Sequence, residues 1–135
     1  MGHEVIEKDG VRFAEIIWAG TYVQTSTFFS PEISSLQFGL LAHKAGFIEP
    51  PHYHPSAQRE ITDVQQMFFV QRGRIAVEFY SDSKTPFREV QLGPGDAILL
   101  VHGVHAIRVL EDMHCISIKQ GPFFGPDQDK VEVGA

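Results

Sequence analysis

The chain has a single cysteine, Cys115, among its 135 residues. Because one thiol has no partner within the chain, an intramolecular disulfide is excluded. Cys115 lies in the apolar run MHCISI, residues 113–118. This setting favours a small packed side chain over a reactive thiol.

Basic residues and long apolar runs are also scarce. The chain has 11 Lys and Arg against 17 Asp and Glu, a formal net charge of −6, without a basic run. A surface that binds nucleic acid or an anionic membrane needs clustered positive charge, so neither partner is expected. No apolar run approaches the roughly 20 residues of a membrane span. The N-terminal MGHEVIE lacks the basic and then apolar order of a secretion signal, so we expect a cytoplasmic protein.

The sequence also lacks the hydrophobic periodicity of helices. Most segments are short, rich in Val, Ile and Phe, and bounded by Gly, Pro, Asp or Ser, which is typical of strands. At 135 residues the chain is long enough for one compact domain and too short for two ordinary ones. Ten short strands at this spacing indicate an antiparallel sandwich or barrel. The predicted strands cover residues 11–18, 22–28, 35–43, 46–54, 65–71, 74–80, 87–92, 97–101, 105–110 and 113–119.

Three predicted turns support the antiparallel arrangement. Arg72 and Gly73 separate two strongly apolar segments, and residues 111–112 (Glu-Asp) separate two others. Between residues 93 and 96 the order Gly-Pro-Gly-Asp puts Pro and Gly at the second and third positions of a type II turn. The tail at 121–135, with two prolines and alternating charge, is expected to be irregular or to pack across a sheet edge.

The sequence His52-Tyr53-His54 suggests metal chemistry. Side chains two residues apart on a strand share a face, so two imidazoles can take adjacent positions on one divalent ion. Such a pair needs further ligands from elsewhere in the fold. Taken alone, a His-x-His pair favours the simpler interpretation, in which one histidine caps a loop and the other lies on a solvated rim.

The chain resembles small single-domain cupins, whose fold is a double-stranded jelly-roll barrel. The first cupin motif, G-x5-H-x-H-x3,4-E-x6-G, and the second, G-x5-P-x-G-x2-H-x3-N, have partial counterparts. The resemblance spans about residues 35–119, and the similar cupins also share a closing Lys-Gln-Gly-Pro, here residues 119–122. Such cupins are often encoded beside genes for polysaccharides and sugar nucleotides. The matching positions are Gly46, His52, His54 and Gly73 of the first motif and Gly95 and Gly103 of the second, with Val101 in place of the usual proline and His105 one residue earlier than the motif's histidine.

The resemblance implies one all-β domain over residues 1–135. Its motif-bearing barrel covers about 35–119, its N-terminal β segments lie at 11–29, and the irregular tail follows. It also implies one divalent ion, Zn, Fe, Mn or Ni, with His52, His54 and His105 as ligands. Gln66 stands where cupins usually have glutamate, on a predicted strand face shared with Phe68, and a neutral amide should bind the ion more weakly.

The loop at 55–65 is longer than the cupin motif allows. Glu60 or Asp63 therefore remains an alternative to Gln66 as the fourth ligand. Other side chains near the motifs are pocket candidates, although a solvated edge or core packing explains them as well, and His102 fits a rim position. These pocket candidates are Gln37, Tyr53, Glu60, Phe68, His102 and Lys119.

Three functions fit these residues. The leading hypothesis is a metal-binding cupin that acts on a carbohydrate or other oxygenated small molecule, as an isomerase or epimerase type of enzyme. A non-catalytic cupin that binds a small ligand, as a sensor or accessory subunit, is the alternative. A metal-free sugar-nucleotide epimerase fold with a histidine base is the third. The aromatic N-terminal region, with Trp18, Tyr22, Phe28 and Phe29, further predicts a two-fold homodimer.

Overall fold

The computed structural model describes residues 2–81 and 84–133. Residues 1 and 134–135 of the predicted domain, the last two belonging to the predicted tail, lie outside the described residues. The described chain is all-β apart from one short helix. Its elements are β1 (His3–Lys8), β2 (Val11–Ile17), β3 (Thr27–Phe28), β4 (Gly39–Leu40), β5 (Gln66–Tyr80), β6 (Arg88–Leu92), β7 (Ala97–Leu100), β8 (Val104–Lys119) and α1 (Pro126–Asp129).

The main sheet is antiparallel and strongly curled. Its strand order is β1-β2-β7-β5-β6, and β8 pairs along the other side of β5. The first half of β5 lies between β7 and β8, and its second half lies between β6 and β8. The β5–β8 register is irregular between Val70 and Ile75, where extra residues allow both long strands to bend together. The result is a half-barrel with a concave and a convex face.

The main core lies on the concave side. Directly paired residues point to the same side of a sheet, so Ile98 shares a face with Ile16 and Phe68 on either side of it. Phe79 and Ile75 bring the bent end of β5 into the same core. Burial of such a side chain contributes roughly 1.5–3 kcal/mol, which makes this face a rigid platform. The buried core comprises Ile6, Phe13, Ala14, Ile16, Val70, Ile75, Val77, Phe79, Val90, Leu92, Ile98 and Leu100.

A smaller cluster lies on the convex face, where Phe38 packs on Ile17 and Leu99. The loop that carries Phe38 is held by a buried carboxylate. Glu15, 1% exposed, accepts a 3.0 Å hydrogen bond from the Ser30 hydroxyl. The same hydroxyl oxygen accepts a 3.0 Å bond from the backbone N–H of Phe38. Sequence patterning gave no indication of this long-range network.

The structure corrects the prediction of ten strands, because eight are present among the described residues. The segments predicted at 65–71 and 74–80 form the single strand β5, and those at 105–110 and 113–119 form β8. The turns predicted at 72–73 and 111–112 were wrong, since both places lie inside paired, bulged strands. The turn at 93–96 is confirmed by a 3.0 Å bond from Asp96 N–H to Gly93 O and by the positive φ of Gly95. The described residues thus confirm an all-β, antiparallel half-barrel, and a ten-stranded jelly-roll is not confirmed.

The N-terminal half departs furthest from the prediction. β1 was not predicted, whereas only residues 27–28 and 39–40 of the segments predicted at 22–28 and 35–43 are strands. The segment predicted at 46–54 forms no strand. Pro50 and Pro51 lack the N–H that a ladder requires, which explains why pattern alone overestimated its pairing.

Two features of the half-barrel are open. Residues 41–64, here called the exposed arm, lie outside helices and strands, and all but Ala42 are exposed. β8 is paired with β5 on one side, and among the described residues no strand pairs with its other side. Apolar side chains of β8 such as Ile107 and Val109 are 37% and 52% exposed. Within residues 2–81 and 84–133, the structure therefore contains both a sheet edge and an exposed segment without a strand partner.

Candidate functional site

The exposed arm carries His52 and His54 as neighbours. Their ring centroids are 5.3 Å apart, with the rings nearly perpendicular. His52 Nδ1 lies 2.9 Å from the carbonyl oxygen of Pro50, and its Nε2 lies 3.4 Å from a carboxylate oxygen of Glu49. With Nδ1 donating to Pro50, Nε2 of the neutral ring carries the lone pair that a metal ion needs. The arm thus holds two adjacent potential imidazole ligands.

His105 lies near the start of β8 and projects to the concave side. It pairs directly with the buried Phe79, so the two side chains share a face. Burial lowers the pKa of His105, a backbone hydrogen bond with Gly103 opposes this shift, and the charge of Lys130 adds to it. His105 nevertheless keeps solvent-accessible surface, because the concave face surrounds the side chain and remains open to solvent. His105 is therefore neutral at neutral pH, the form that binds metal or accepts a proton.

Gln66 begins β5 on the same concave side. It pairs with Leu100 and with Lys119, and its face continues into Phe68. The amide nitrogen of Gln66 donates a 3.0 Å hydrogen bond to the Ser117 hydroxyl. This bond directs the amide so that its oxygen remains available as a neutral ligand.

The structure does not bring the four predicted ligands into one site. Among residues 2–81 and 84–133, no three His, Cys, Asp or Glu side chains form a group suited to a metal ion. His52 and His54 are together on the arm, while Gln66 and His105 lie on the half-barrel. A metal site from these residues therefore requires the arm to move onto the concave face.

The two alternative carboxylates differ in their surroundings. Glu60 is exposed on the arm. Asp63 accepts hydrogen bonds from the Ser35 hydroxyl and, at 3.0 Å, from the Gln65 amide. The Ser35 bond lowers the pKa of Asp63, against a smaller opposing effect of burial. Asp63 thus anchors the end of the arm.

Gln65 is a residue that sequence reasoning missed. It is 2% exposed, its side-chain oxygen accepts a 3.2 Å bond from the N–H of Leu36, and its own N–H donates to the Gln120 side chain at 2.7 Å. Gln65 therefore joins the loop before β4 to the residue that follows β8. The double Gln at 65–66 is the one signal that the sequence offered for a polar role here.

The predicted pocket residues fall into four places. Tyr53 and Glu60 are exposed on the arm, and Phe68 and Lys119 belong to the concave face. Gln37 instead borders a groove of about 470 Å³ on the convex side, with Met67 and Phe69. His102 is exposed in the turn before β8, with its ring edge-on to Phe13 at 5.7 Å. Gln37 and the concave-face residues therefore serve different surfaces.

No family model, curated protein or solved structure matches this chain. The comparisons neither support nor refute the cupin resemblance. Within the described residues, the structure contains no helix with the length and apolar character needed to cross a membrane.

Proposed function

We propose that this chain is a metal-binding cupin whose exposed arm docks along the free edge of β8 and completes a site on the concave face. The single observation that carries the proposal is that His105 projects from the strand whose other edge is unpaired among the described residues. The arm supplies the His52 and His54 pair. Paired with β8, a His-x-His strand would direct both imidazoles to one side of the sheet.

Docking would provide a strand partner both for the edge of β8 and for the exposed arm. Unpaired N–H and C=O groups on a sheet edge favour addition of another strand, and the arm offers backbone that lies outside helices and strands. Residues 41 and 65 at its two ends adjoin β4 and β5 of the same chain, so an intramolecular partner is always close. Docking would also cover apolar side chains of the arm. Its exposed apolar residues are Leu41, Phe47, Ile48, Tyr53, Ile61 and Val64.

The chemistry follows from the donor set. Three neutral imidazoles and the Gln66 oxygen suit a divalent ion such as Zn, Fe, Mn or Ni, with the amide as the weakest donor. An ion held in this way polarises a carbonyl or hydroxyl oxygen of a bound molecule. We propose a carbohydrate or other oxygenated small molecule as the ligand, with isomerisation or epimerisation as the reaction. Binding without turnover is the alternative outcome.

Metal binding should depend on the arm. Purified protein should bind about one equivalent of Zn, Fe, Mn or Ni, and the ion should raise the melting temperature because it binds only the folded chain. The double variant His52→Ala/His54→Ala should lose the ion. His43→Ala is the matched control, since His43 lies on the same arm and stacks on Phe47, outside the motif. Elemental analysis and thermal shift measure both effects.

The docking step has its own readout. Amide hydrogen exchange of residues 52–54, which follow the two prolines, should slow when the ion binds, because their amides would pair with β8. Protein without a transition metal and without a thermal shift on addition of any of the four ions would contradict the proposal. Metal uptake without protection of the arm would contradict docking alone.

One observation favours the metal-free alternative. The lowered pKa of His105 keeps the ring neutral, and a neutral imidazole on a concave face can act as a general base. This candidate predicts activity that survives chelation and survives replacement of His52 and His54.

We also propose a homodimer built on residues 11–29. Two of the four aromatic residues of this region already have partners within the chain. The indole N–H of Trp18 donates to Glu4 at 3.1 Å, and Phe29 stacks on His3. Tyr22 and Phe28 remain 90% and 55% exposed. These two aromatic side chains are the apolar surface that a second copy would cover.

Light scattering should give twice the monomer mass at micromolar concentration. Tyr22→Ser/Phe28→Ser should give the monomer mass, because it removes the apolar contact without touching the core. Ile33→Ser is the control, since Ile33 is 95% exposed outside this region. A monomeric wild type would contradict the homodimer.

A further inference from the structure

The C-terminal segment places a carboxylate against the concave face. Asp129, the last residue of α1, lies with a side-chain oxygen 3.7 Å from the Lys119 ammonium. The Asp129 side chain is only 10% exposed, while that of Lys119 is 32% exposed. Lys119 also lies 5.5 Å from the ring centre of Phe123 in the same segment. The segment therefore packs an acidic group onto a lysine that sequence analysis had placed among the pocket candidates.

Lys119 is part of the candidate site and not of a remote surface. It pairs directly with Gln66, so both side chains project to the concave side, and Ser117 on the same face receives the Gln66 hydrogen bond. The next residue of the tail, Lys130, contributes to the lowered pKa of His105. Through Asp129, the tail lies beside Lys119 at the end of β8.

We propose that Lys119 is the anion-binding residue of the concave face, and that Asp129 occupies it until a ligand carrying a carboxylate or phosphate group displaces the tail. The proposal rests on the proposed function in one respect, which is that the ligand binds on the concave face. It adds the substrate class: an oxygenated molecule with a negative charge.

The ion pair between Lys119 and Asp129 is weak enough for an anionic ligand to displace Asp129. The Lys119–Asp129 ion pair is weak although the carboxylate is mostly buried, because its separation is 3.7 Å, its geometry is not bidentate and solvent still reaches the lysine. A phosphate or carboxylate that also contacts neighbouring hydrogen-bond donors can compete with it. The protein has an overall charge of −6, so a local lysine is needed to hold an anion against the general repulsion.

The test measures binding of inorganic phosphate to chelator-treated protein by titration calorimetry or ³¹P NMR. Asp129→Asn should bind phosphate about fivefold more tightly than wild type, because it removes the internal competitor at the scale of a surface ion pair. Asp127→Asn is the matched control and should leave the affinity unchanged, since it alters a carboxylate of the same short helix. Lys119→Met should abolish binding, and Lys119→Arg should retain it because the charge remains.

Three sugars then distinguish the source of the anion. Glucose 1-phosphate supplies a phosphate, glucuronate a carboxylate, and glucose neither. Tighter binding of one charged sugar by Asp129→Asn identifies the preferred group. Equal phosphate affinity of wild type and Asp129→Asn, or undiminished binding by Lys119→Met, would overturn the proposal. Because the protein is metal-free throughout, a failure of metal binding leaves these results interpretable, and a failure here leaves the metal experiment intact.

Discussion

His105→Ala should lower metal affinity by at least about 100-fold, since it removes a ligand supplied by the rigid sheet and not by the exposed arm. The side chain lies on an accessible concave surface, so its loss opens no cavity in the apolar core and the fold should persist. His114→Ala is the matched control, because His114 is an exposed histidine of the same strand. Metal titration followed by denaturation of all three proteins measures both effects. Unchanged affinity in His105→Ala would exclude this residue as a ligand.

The same variant separates an enzyme from a binding protein. Sugar nucleotides, free sugars and keto acids are first screened by thermal shift, and each ligand found is incubated with wild type and with His105→Ala. If the ion polarises a substrate oxygen, NMR should show product from wild type alone. Ligands that bind both proteins and remain unchanged would support the non-catalytic cupin instead.

Gly73→Ala should destabilise the fold by about 3 kcal/mol, through backbone strain combined with overpacking. Gly73 has a φ of +85°, and a Cβ there would lie 2.7 Å from the carbonyl carbon of Asp112 and 2.8 Å from the carbonyl oxygen of Glu111. Those atoms belong to β8, so they can withdraw only if the two long strands separate. This position joins the two halves of the curled sheet.

Gly10→Ala is the control for this variant. Gly10 also has a positive φ, +78°, but a Cβ there meets nothing within 4 Å. Its cost should be that of the backbone conformation alone, about 1 kcal/mol. Urea denaturation compares the two midpoints, and equal losses would show that close approach to β8 contributes nothing.

Local sequence pattern was sufficient for the strands that form the core. Segment 97–101 is apolar throughout, segment 87–92 alternates apolar and polar residues, and both fold close to their predicted bounds. Gly73 was misread because a glycine with positive φ serves a turn and a bulge equally well. The choice between them depends on whether β8 lies alongside, which is a long-range contact that no local pattern contains.

The sequence likewise predicted only part of the candidate site. Spacing alone put His52 beside His54, and alternation put Gln66 with Phe68 on the concave face. Contact of the histidine pair with His105 depends on how the arm lies, and neither His-x-His nor its flanking prolines encode that position. The pairing of Lys119 with Asp129 was equally invisible, because it joins a strand to a tail whose sequence indicated only irregular structure.

The unpaired edge of β8 has a consequence for behaviour at high concentration. The strand is 16 residues long and exposes apolar side chains on both of its faces, among them Ile107, Leu110 and Ile118. A long apolar edge is a template onto which strands of other molecules add, leading to disordered association. An arm held in place by an ion would cover that edge and prevent strands of other molecules from pairing with it. Chelation would then remove a ligand site and, at the same time, a barrier against aggregation.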